Sequence, residues 1–298
     1  MIDLIAMRGL RPISIQGQPA GRLALYLNNW KVVTKGRWVL DTVNGYQIEF
    51  HSPPYQDYPP HQPQLNKVQE DLINRGGSDN SSLPTEGLLC LHPVPDPKEG
   101  WRPEAGNQPK ASEQLCKHPS FQDGGDTQPE NPPKERDWLV KMDLKDAYFS
   151  IPIHPEHQKF LSFTWGNTNY QFTCLPFGLA SAPWVFTKTL RPAAALGSEV
   201  WMQIVCYIDD ILVMAKSKEE AQDHSAGLVY LLKSLGFTIN QEKTILEQTQ
   251  SLELLGFNVD TVKMELTLPP EKIKKIRAES WKLVGAGQRD THAAPYPG

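Results

Sequence analysis

Between Trp138 and Phe257 the apolar positions fall into short, regular blocks. Trp138-Leu-Val-Lys-Met-Asp143 predicts a strand that ends in a carboxylate, and Ala147-Tyr148-Phe149 opens a short helix after it. Gln158 to Phe163 and Tyr170 to Cys174 predict two strands around the turn residues Gly166-Asn167. Ser181 to Leu190 predicts a helix opened by a serine. Ile204 to Tyr207 and Ile211 to Ala215 are β-rich runs on either side of Ile208-Asp209-Asp210, which puts the acidic pair at the tip of a tight hairpin. Ser217 with Glu220 three residues on forms a capping box. Ala221, His224, Leu228, Leu231, Leu232 and Leu235 follow at helical spacing until Gly236 stops the helix. The order strand, helix, strands, helix, hairpin, helix, strand predicts an α+β fold built on an antiparallel sheet. His224 sits on the apolar stripe and reads as a core histidine rather than a ligand.

The flanks are less regular. Residues 1–75 form a lead-in with apolar and aromatic anchors (Leu25, Trp30, Trp38, Val39, Tyr46, Ile48) and a proline cluster from Pro53 to Pro63. In residues 76–133, Gly, Ser, Asn, Gln and Pro dominate, only Leu88 to Val94 resembles a strand, and the expectation is disorder. The crisp pattern occupies residues 134–260, and residues 261–298 add a basic, amphipathic stretch, Lys263 to Lys282, before a tail expected to be disordered. Composition narrows the class. Thirty basic against 34 acidic side chains give a formal charge of −4, so any nucleic-acid surface has to be local. The four cysteines fit neither zinc knuckles nor a disulfide scaffold, the N-terminus has no continuous h-region, and no run approaches the roughly 18 apolar residues of a membrane span. A soluble intracellular chain, cytoplasmic or nuclear and without a membrane partner, is expected.

Asp143 and the pair Asp209-Asp210, at the ends of separate strands, are hard oxygen donors of the type two Mg²⁺ or Mn²⁺ ions take while keeping positions for water and phosphate. Two metals about 3.5–4 Å apart activate an attacking hydroxyl and stabilise a leaving oxygen. An isolated Asp-Asp at a hairpin tip is ordinarily a solvated turn, but apolar runs on both sides make this pair a charged interruption of a buried hairpin. No zinc, P-loop, dinucleotide or nucleophilic-triad pattern occurs.

Val140-Lys-Met-Asp143-Leu-Lys-Asp-Ala-Tyr148-Phe-Ser-Ile-Pro-Ile, Leu175-Pro-Phe-Gly178-Leu-Ala-Ser-Ala-Pro183, Tyr207-Ile-Asp209-Asp210, Gly236-Phe-Thr-Ile-Asn-Gln-Glu-Lys243 and Leu254-Leu-Gly256-Phe257 resemble, in order and spacing, the palm motifs of reverse transcriptases. The wording is similar to long-terminal-repeat and DIRS-like retroelements, and Gly21-Arg22-Leu23 through His51-Ser-Pro-Pro54 resembles the lead-in of the DIRS-like group. The resemblance implies a palm with partial fingers and the start of a thumb. The implied reaction is RNA-directed DNA synthesis, with deoxynucleoside triphosphates and a primed RNA or DNA template as partners. It implies Asp143, Asp209 and Asp210 as the acidic triad holding the metals, and Tyr148 as a steric gate beneath the sugar, a core aromatic being the alternative. Phe177 falls under the incoming base and Gly178 leaves the backbone room beside the nucleotide. Lys243 and Arg102 match groups near the triphosphate, with a solvated helix-end lysine as the alternative for Lys243. Leu255 and Gly256 match the primer grip, for which a plain core strand is the alternative. Lys263 to Lys282 matches the first thumb helix or a solvated amphipathic one.

The pattern departs from the family after Trp101-Arg102-Pro103, where Glu104 to Pro133 is polar and proline-rich instead of carrying finger strands. Allowed codons for Gly106 through Gln122, read one base later, encode Ala-Ile-Asn-Leu-Lys-Pro-Leu-Asn-Ser-Phe-Val-Asn-Thr-Pro-His-Phe, which is the family's finger wording. The expectation is a degenerate, frameshifted copy with impaired activity and no room for a ribonuclease H domain after the palm. A noncatalytic nucleic-acid- or protein-binding remnant and a magnesium-dependent nuclease are the other readings. Tyr148 and the Gly178 motif argue against the nuclease, because they serve nucleotide selection.

Overall fold

The computed structural model describes residues 9–10, 20–50, 91–94, 132–165, 168–199 and 202–287. Arg102 lies outside them, as do Gly166-Asn167 and most of residues 76–133. In chain order the helices are α1 (Leu27–Val33, preceded by the 3-10 turn Arg22–Tyr26), α2 (Arg37–Gly45), α3 (Pro155–Gln158), α4 (Ala182–Glu199), α5 (Lys218–Ser234) and α6 (Pro270–Gly287). The strands are β1 (Leu91–Val94), β2 (Trp138–Lys145), β3 (Ser162–Trp165), β4 (Thr168–Phe172), β5 (Gln203–Tyr207), β6 (Asp210–Ala215), β7 (Thr238–Ile239), β8 (Ile245–Thr249), β9 (Ser251–Leu254), β10 (Phe257–Asp260) and β11 (Glu265–Thr267).

The central sheet runs β5-β6-β2-β7, with β8 also pairing β2, and every pairing is antiparallel. Period-2 alternation divides β2 between two environments. Val140, Met142 and Leu144 enter the main core with Ile211, Val213 and Ala215 of β6, under Val185 and Phe186 of α4 and Leu228, Leu231 and Leu232 of α5. Leu139 faces the other way, into a small cluster with Leu212, Met214 and Leu252. Lys141 and Asp143 follow Leu139 on that second side, so the carboxylate stands opposite the helices. Two smaller three-stranded sheets, β1-β4-β3 and β11-β10-β9, flank the central one.

The lead-in packs into the same core. Leu23, Tyr26, Trp30, Val39, Val43 and Tyr46 are buried in it beside Phe186 and Phe237. Trp38 of α2 meets Trp184 of α4 edge to face at 5.3 Å, and the Lys188 ammonium lies 4.0 Å and 4.4 Å from the two ring centroids, a cation–π clamp between the helices.

Most of the predicted elements are present, and three differ. Gln158 to Leu161 is helical rather than extended: Pro155 occupies the first turn of α3, a 3-10 turn continues it from Lys159 to Leu161, and the strand starts only at Ser162. The helix expected to stop at Leu190 runs to Glu199 through Pro192. An interior proline costs about 3 kcal/mol, and the burial of Val185, Phe186, Leu190 and Ala193 along one face offsets it. The opening serine, Ser181, is fully buried and its hydroxyl has no partner among the described residues, so it does not cap the helix with its side chain. Of Lys263 to Lys282, only the part from Pro270 is helical, and Trp281 is 75% exposed. The forward half of the capping box forms as expected, the Glu220 N–H donating to Ser217 Oγ at 3.1 Å, while the Glu220 carboxylate reaches one residue past the cap and accepts from the Lys216 N–H at 2.9 Å.

Gly236, which ends α5 after Leu235, has φ +96°, and an added Cβ would lie 2.7 Å from the Tyr26 ring. Gly178 has φ +91° but open space around the same position. Both Gly→Ala substitutions carry the positive-φ cost of about 1–2 kcal/mol, and only Gly236→Ala adds an overlap with a buried ring. Urea denaturation is expected to show Gly236→Ala as clearly the more destabilised of the two; equal losses would mean that Tyr26 moves aside freely.

Candidate active site

Asp143 and Asp210 face each other across the β2–β6 ladder, and Tyr207 faces Asp210 across the β5–β6 ladder. The turn between β5 and β6 consists of Ile208 and Asp209. Ile208 has φ +56°, a left-handed conformation in which a β-branched side chain is strained on the order of 1–3 kcal/mol. The turn is tied to β2 because the Leu144 N–H donates to the Asp209 carbonyl at 2.9 Å. The strained tip therefore holds Asp209 next to the strand residue that follows Asp143.

Asp143 is 5% exposed, and a loop after β7 surrounds it. Asn240 Nδ2 donates to Asp143 Oδ1 at 2.9 Å, and Lys243 Nζ lies 3.7 Å from Oδ2. The main chain is held as well: the Asp143 N–H donates to Thr244 Oγ1 at 3.1 Å, and the Asn240 N–H donates to the Asp143 carbonyl at 2.9 Å. Asp210 forms an ion pair with Lys141, 3.1 Å away and off the line of an aligned hydrogen bond. The Asp209 carboxyl is raised above its ordinary value, chiefly by burial. Its own backbone N–H opposes this, the charges of Asp143 and Asp210 add to it, and Lys243 opposes it.

The Tyr148 ring is buried beside this group, and its hydroxyl is pushed up to about 12, first by burial and then by the charges of Asp209 and Tyr207. Its ring centroid is 4.8 Å from Phe177 and 5.6 Å from Phe186. Phe177 is half exposed and also meets Phe149 edge to face at 5.1 Å, and Gly178 next to it borders open space. Phe177, Tyr148, Asp209, Asp143 and Lys243 are thus successive neighbours, with Tyr148 and Asp143 buried and Phe177 and Lys243 exposed at the two ends.

Leu255 and Gly256 are elsewhere. They form the two-residue turn of the β9–β10 hairpin, both with positive φ, and Lys272 of α6 donates to the Gly256 carbonyl at 3.0 Å. With Leu255 45% exposed, the turn is no core strand. His224 is buried on α5 as expected of a core histidine, but it is not a satisfied one: Nε2 lies 4.0 Å from Glu220 and Nδ1 has no hydrogen-bond partner among the described residues.

Three residues at the carboxylates drew no role from the sequence: Asn240, Thr244 and Lys141. Lys141 could have been found from the period of β2, since it lies two positions before Asp143 on the same side. Asn240 and Thr244 become neighbours of Asp143 only through the β2–β7 pairing. Among the described residues no three His, Cys, Asp or Glu side chains converge as a complete ligand set. The hard carboxylates of Asp143 and Asp209 nonetheless suit Mg²⁺, which uses one or two protein carboxylates and fills its remaining positions with water and phosphate oxygen.

The family model described as reverse transcriptase (RNA-dependent DNA polymerase) matches residues 94–259. The Gag-Pol polyprotein of woolly monkey sarcoma virus is 31% identical over 145 residues, covering 45% of this chain and 8% of the polyprotein. The Transposon Tf2-3 polyprotein of Schizosaccharomyces pombe is 30% identical over 121 residues, covering 41% of this chain and 9% of its own length. The chain thus spans less than a tenth of these relatives. Among solved structures, the foamy viral protease-reverse transcriptase in complex with an RNA/DNA hybrid matches with a TM-score of 0.50 at 20% identity, over 86% of this chain and 34% of that one. That likeness bears on the fold.

The raised Asp209 carboxyl has a consequence for stability. From the ordinary value of 3.8 up to the raised one, the folded chain holds a proton that the unfolded chain has released, so stability falls as pH rises through that window and stays reduced above it. Asp209→Asn removes this penalty. Without divalent cations, the variant is expected to melt above the parent at pH 7, with the gap closing as pH drops below 3.8. A gap independent of pH would show that the Asp209 charge carries no folding cost.

Proposed function

Because the chain belongs to the reverse transcriptase (RNA-dependent DNA polymerase) family, we propose that the carboxylate edge of its central sheet is a site for template-directed transfer of a deoxynucleotide to a primer 3′-hydroxyl. The observation that carries this reading is the pairing of Asp143 with Asp210 in register, next to the strained turn that presents Asp209. Asp143 and Asp209 would hold the divalent cations, Mg²⁺ or Mn²⁺, with Asp210 beside them. When bound, such ions lower the pKa of an attacking hydroxyl and stabilise the leaving oxygen.

The remaining roles fall to the chain's own side chains. The Tyr148 ring, wedged between Phe177 and Phe186, is rigid enough to exclude a ribose 2′-hydroxyl by contact. Phe177 offers an exposed aromatic face to a base, and the space beside Gly178 leaves room for the nucleotide. Lys243, two-thirds exposed, reaches from Asp143 toward solvent and suits a triphosphate oxygen. Leu255 and Gly256 on their exposed turn, with the basic helix α6 behind them, are proposed to contact the primer strand, and α6 to track phosphates as the first thumb helix. Arg102 is proposed as a further triphosphate contact. Residues 134–260 are proposed as the palm and the remaining part of the fingers.

We further propose that the chain derives from a decayed, DIRS-like copy. The recoding of Gly106 through Gln122 supports this, and polar, proline-rich residues 104–133 would then stand where finger strands should hold the triphosphate. Misplacing a substrate by about 1 Å costs roughly 10²-fold in rate, so little extension is expected from the chain as it stands.

Primer extension on an RNA template with Mg²⁺ tests both parts, comparing this chain, a version with the shifted frame restored and the missing thumb supplied, and Asp209→Asn in each. The restored protein is expected to extend and its Asp209→Asn variant to fall to background. In the restored background, Tyr148→Val is expected to raise ribonucleotide incorporation roughly 10-fold or more. Robust, Asp209-dependent extension by the unmodified chain would overturn the decay reading. Inactivity of both would favour a noncatalytic binding remnant, and cleavage without nucleotides a nuclease.

A further inference from the structure

The lead-in grips one short stretch of the chain, the link from α5 to β7, residue by residue. Asn29 Nδ2 donates to the Ser234 carbonyl at 2.6 Å, and Trp30 Nε1 to the Leu235 carbonyl at 2.9 Å. Tyr26 and Leu23 close over Gly236, and Trp30 meets the Phe237 ring edge to face at 6.0 Å. Arg22 then donates through Nη1 to Thr238 Oγ1, with Nη2 3.4 Å from the Tyr26 hydroxyl. Thr238 and Ile239 pair with Lys145 and Leu144, and the next residue is Asn240.

Asn240 is fixed from both ends of its amide. Its Oδ1 accepts the Glu242 N–H at 3.2 Å, which leaves Nδ2 to donate to Asp143 Oδ1, and its carbonyl accepts the Thr244 N–H at 3.0 Å. The backbone of β2 is already held by strands on both sides. What the ladder does not fix is the rotamer of the Asp143 side chain, whose Oδ1 accepts from the Asn240 amide and whose Oδ2 lies 3.7 Å from Lys243 Nζ.

We propose that Arg22, acting through Thr238 and Asn240, positions the Asp143 carboxylate, so that the lead-in is a working part of the site and not only a cover for the core. The proposal rests on the reading of Asp143 as a cation ligand. Arg22 touches neither substrate nor metal and is a positioning residue. Its guanidinium is a planar fork whose geometry a lysine does not reproduce.

The test reads the Asn240 side chain directly in metal-free full-length protein. With ¹⁵N-asparagine labelling, the Asn240 amide signal is assigned by its loss in Asn240→Ala. Arg22→Met and Thr238→Val are expected to shift or broaden that signal. Lys188→Met, which removes the clamp between α2 and α4, is expected to lower the melting temperature and leave the signal in place. Mn²⁺ titration supplies the second readout: Arg22→Met and Asn240→Ala should each weaken binding about 10-fold, the scale for removing an outer-shell partner. The double variant should be no weaker than Asn240→Ala alone. An unmoved Asn240 signal in both Arg22→Met and Thr238→Val, or additive losses of affinity, would overturn the relay and leave Arg22 a structural residue. Absence of Mn²⁺ binding in the parent protein would count against the cation site itself, and the amide signal would still decide the relay.

Discussion

A carboxylate that is 5% exposed dominates the arrangement of this protein. Moving an ionised group away from water costs several kcal/mol even after relaxation, unless hydrogen bonds and opposite charge surround it. For Asp143 these come from a single loop: Asn240 and Lys243 at the two carboxylate oxygens, and Thr244 and Asn240 on the main chain. That loop can reach Asp143 only if β7 lies against the far end of β2. The end of α5, the turn at Gly236 and the grip of the lead-in all serve that placement.

The opposite edge of β2 faces a different constraint. Asp209 must stand near two other acidic groups, and the chain brings it there on a two-residue turn whose first residue is an isoleucine with φ +56°. Glycine or asparagine would adopt that turn without strain. Backbone strain and crowded charge thus fall on the same tip, and each costs stability. Lys141 relieves the crowding at Asp210, whereas among the described residues Asp209 is helped by its own backbone N–H and by Lys243.

The sheet and both of its carboxylate positions were legible because alternation along β2 and β6 and the capping box at Ser217 are local signals. Local signals also misled. Phe160 and Leu161 look like strand residues until Pro155 is read as a helix start, and Pro192 looks like a stop until the buried face of α4 outweighs it. The partners of Asp143 were out of reach for another reason. Asn240 and Thr244 lie about a hundred residues from Asp143, and nothing in their own surroundings distinguishes them from other turn residues. The same separation hid the lead-in's share of the core, since Trp30 could be read as an anchor but not as an anchor for Leu235.

The contact between Arg22 and Thr238 spans 216 residues. At about 5–20 residues per second of synthesis, the lead-in would leave the ribosome roughly 10–40 s before the turn it grips exists. During that interval Leu23, Tyr26 and Trp30, each fully buried in the finished protein, lack the part of their cover that Leu235 to Phe237 supply, although Val39, Val43 and later Phe186 are made before it. The docking can be completed only once the turn at Gly236 has been made, which leaves these three side chains partly uncovered until then. The stretch that closes over the lead-in lies at the far end of the main core, so this part of the core can close only when nearly all of its residues have been made.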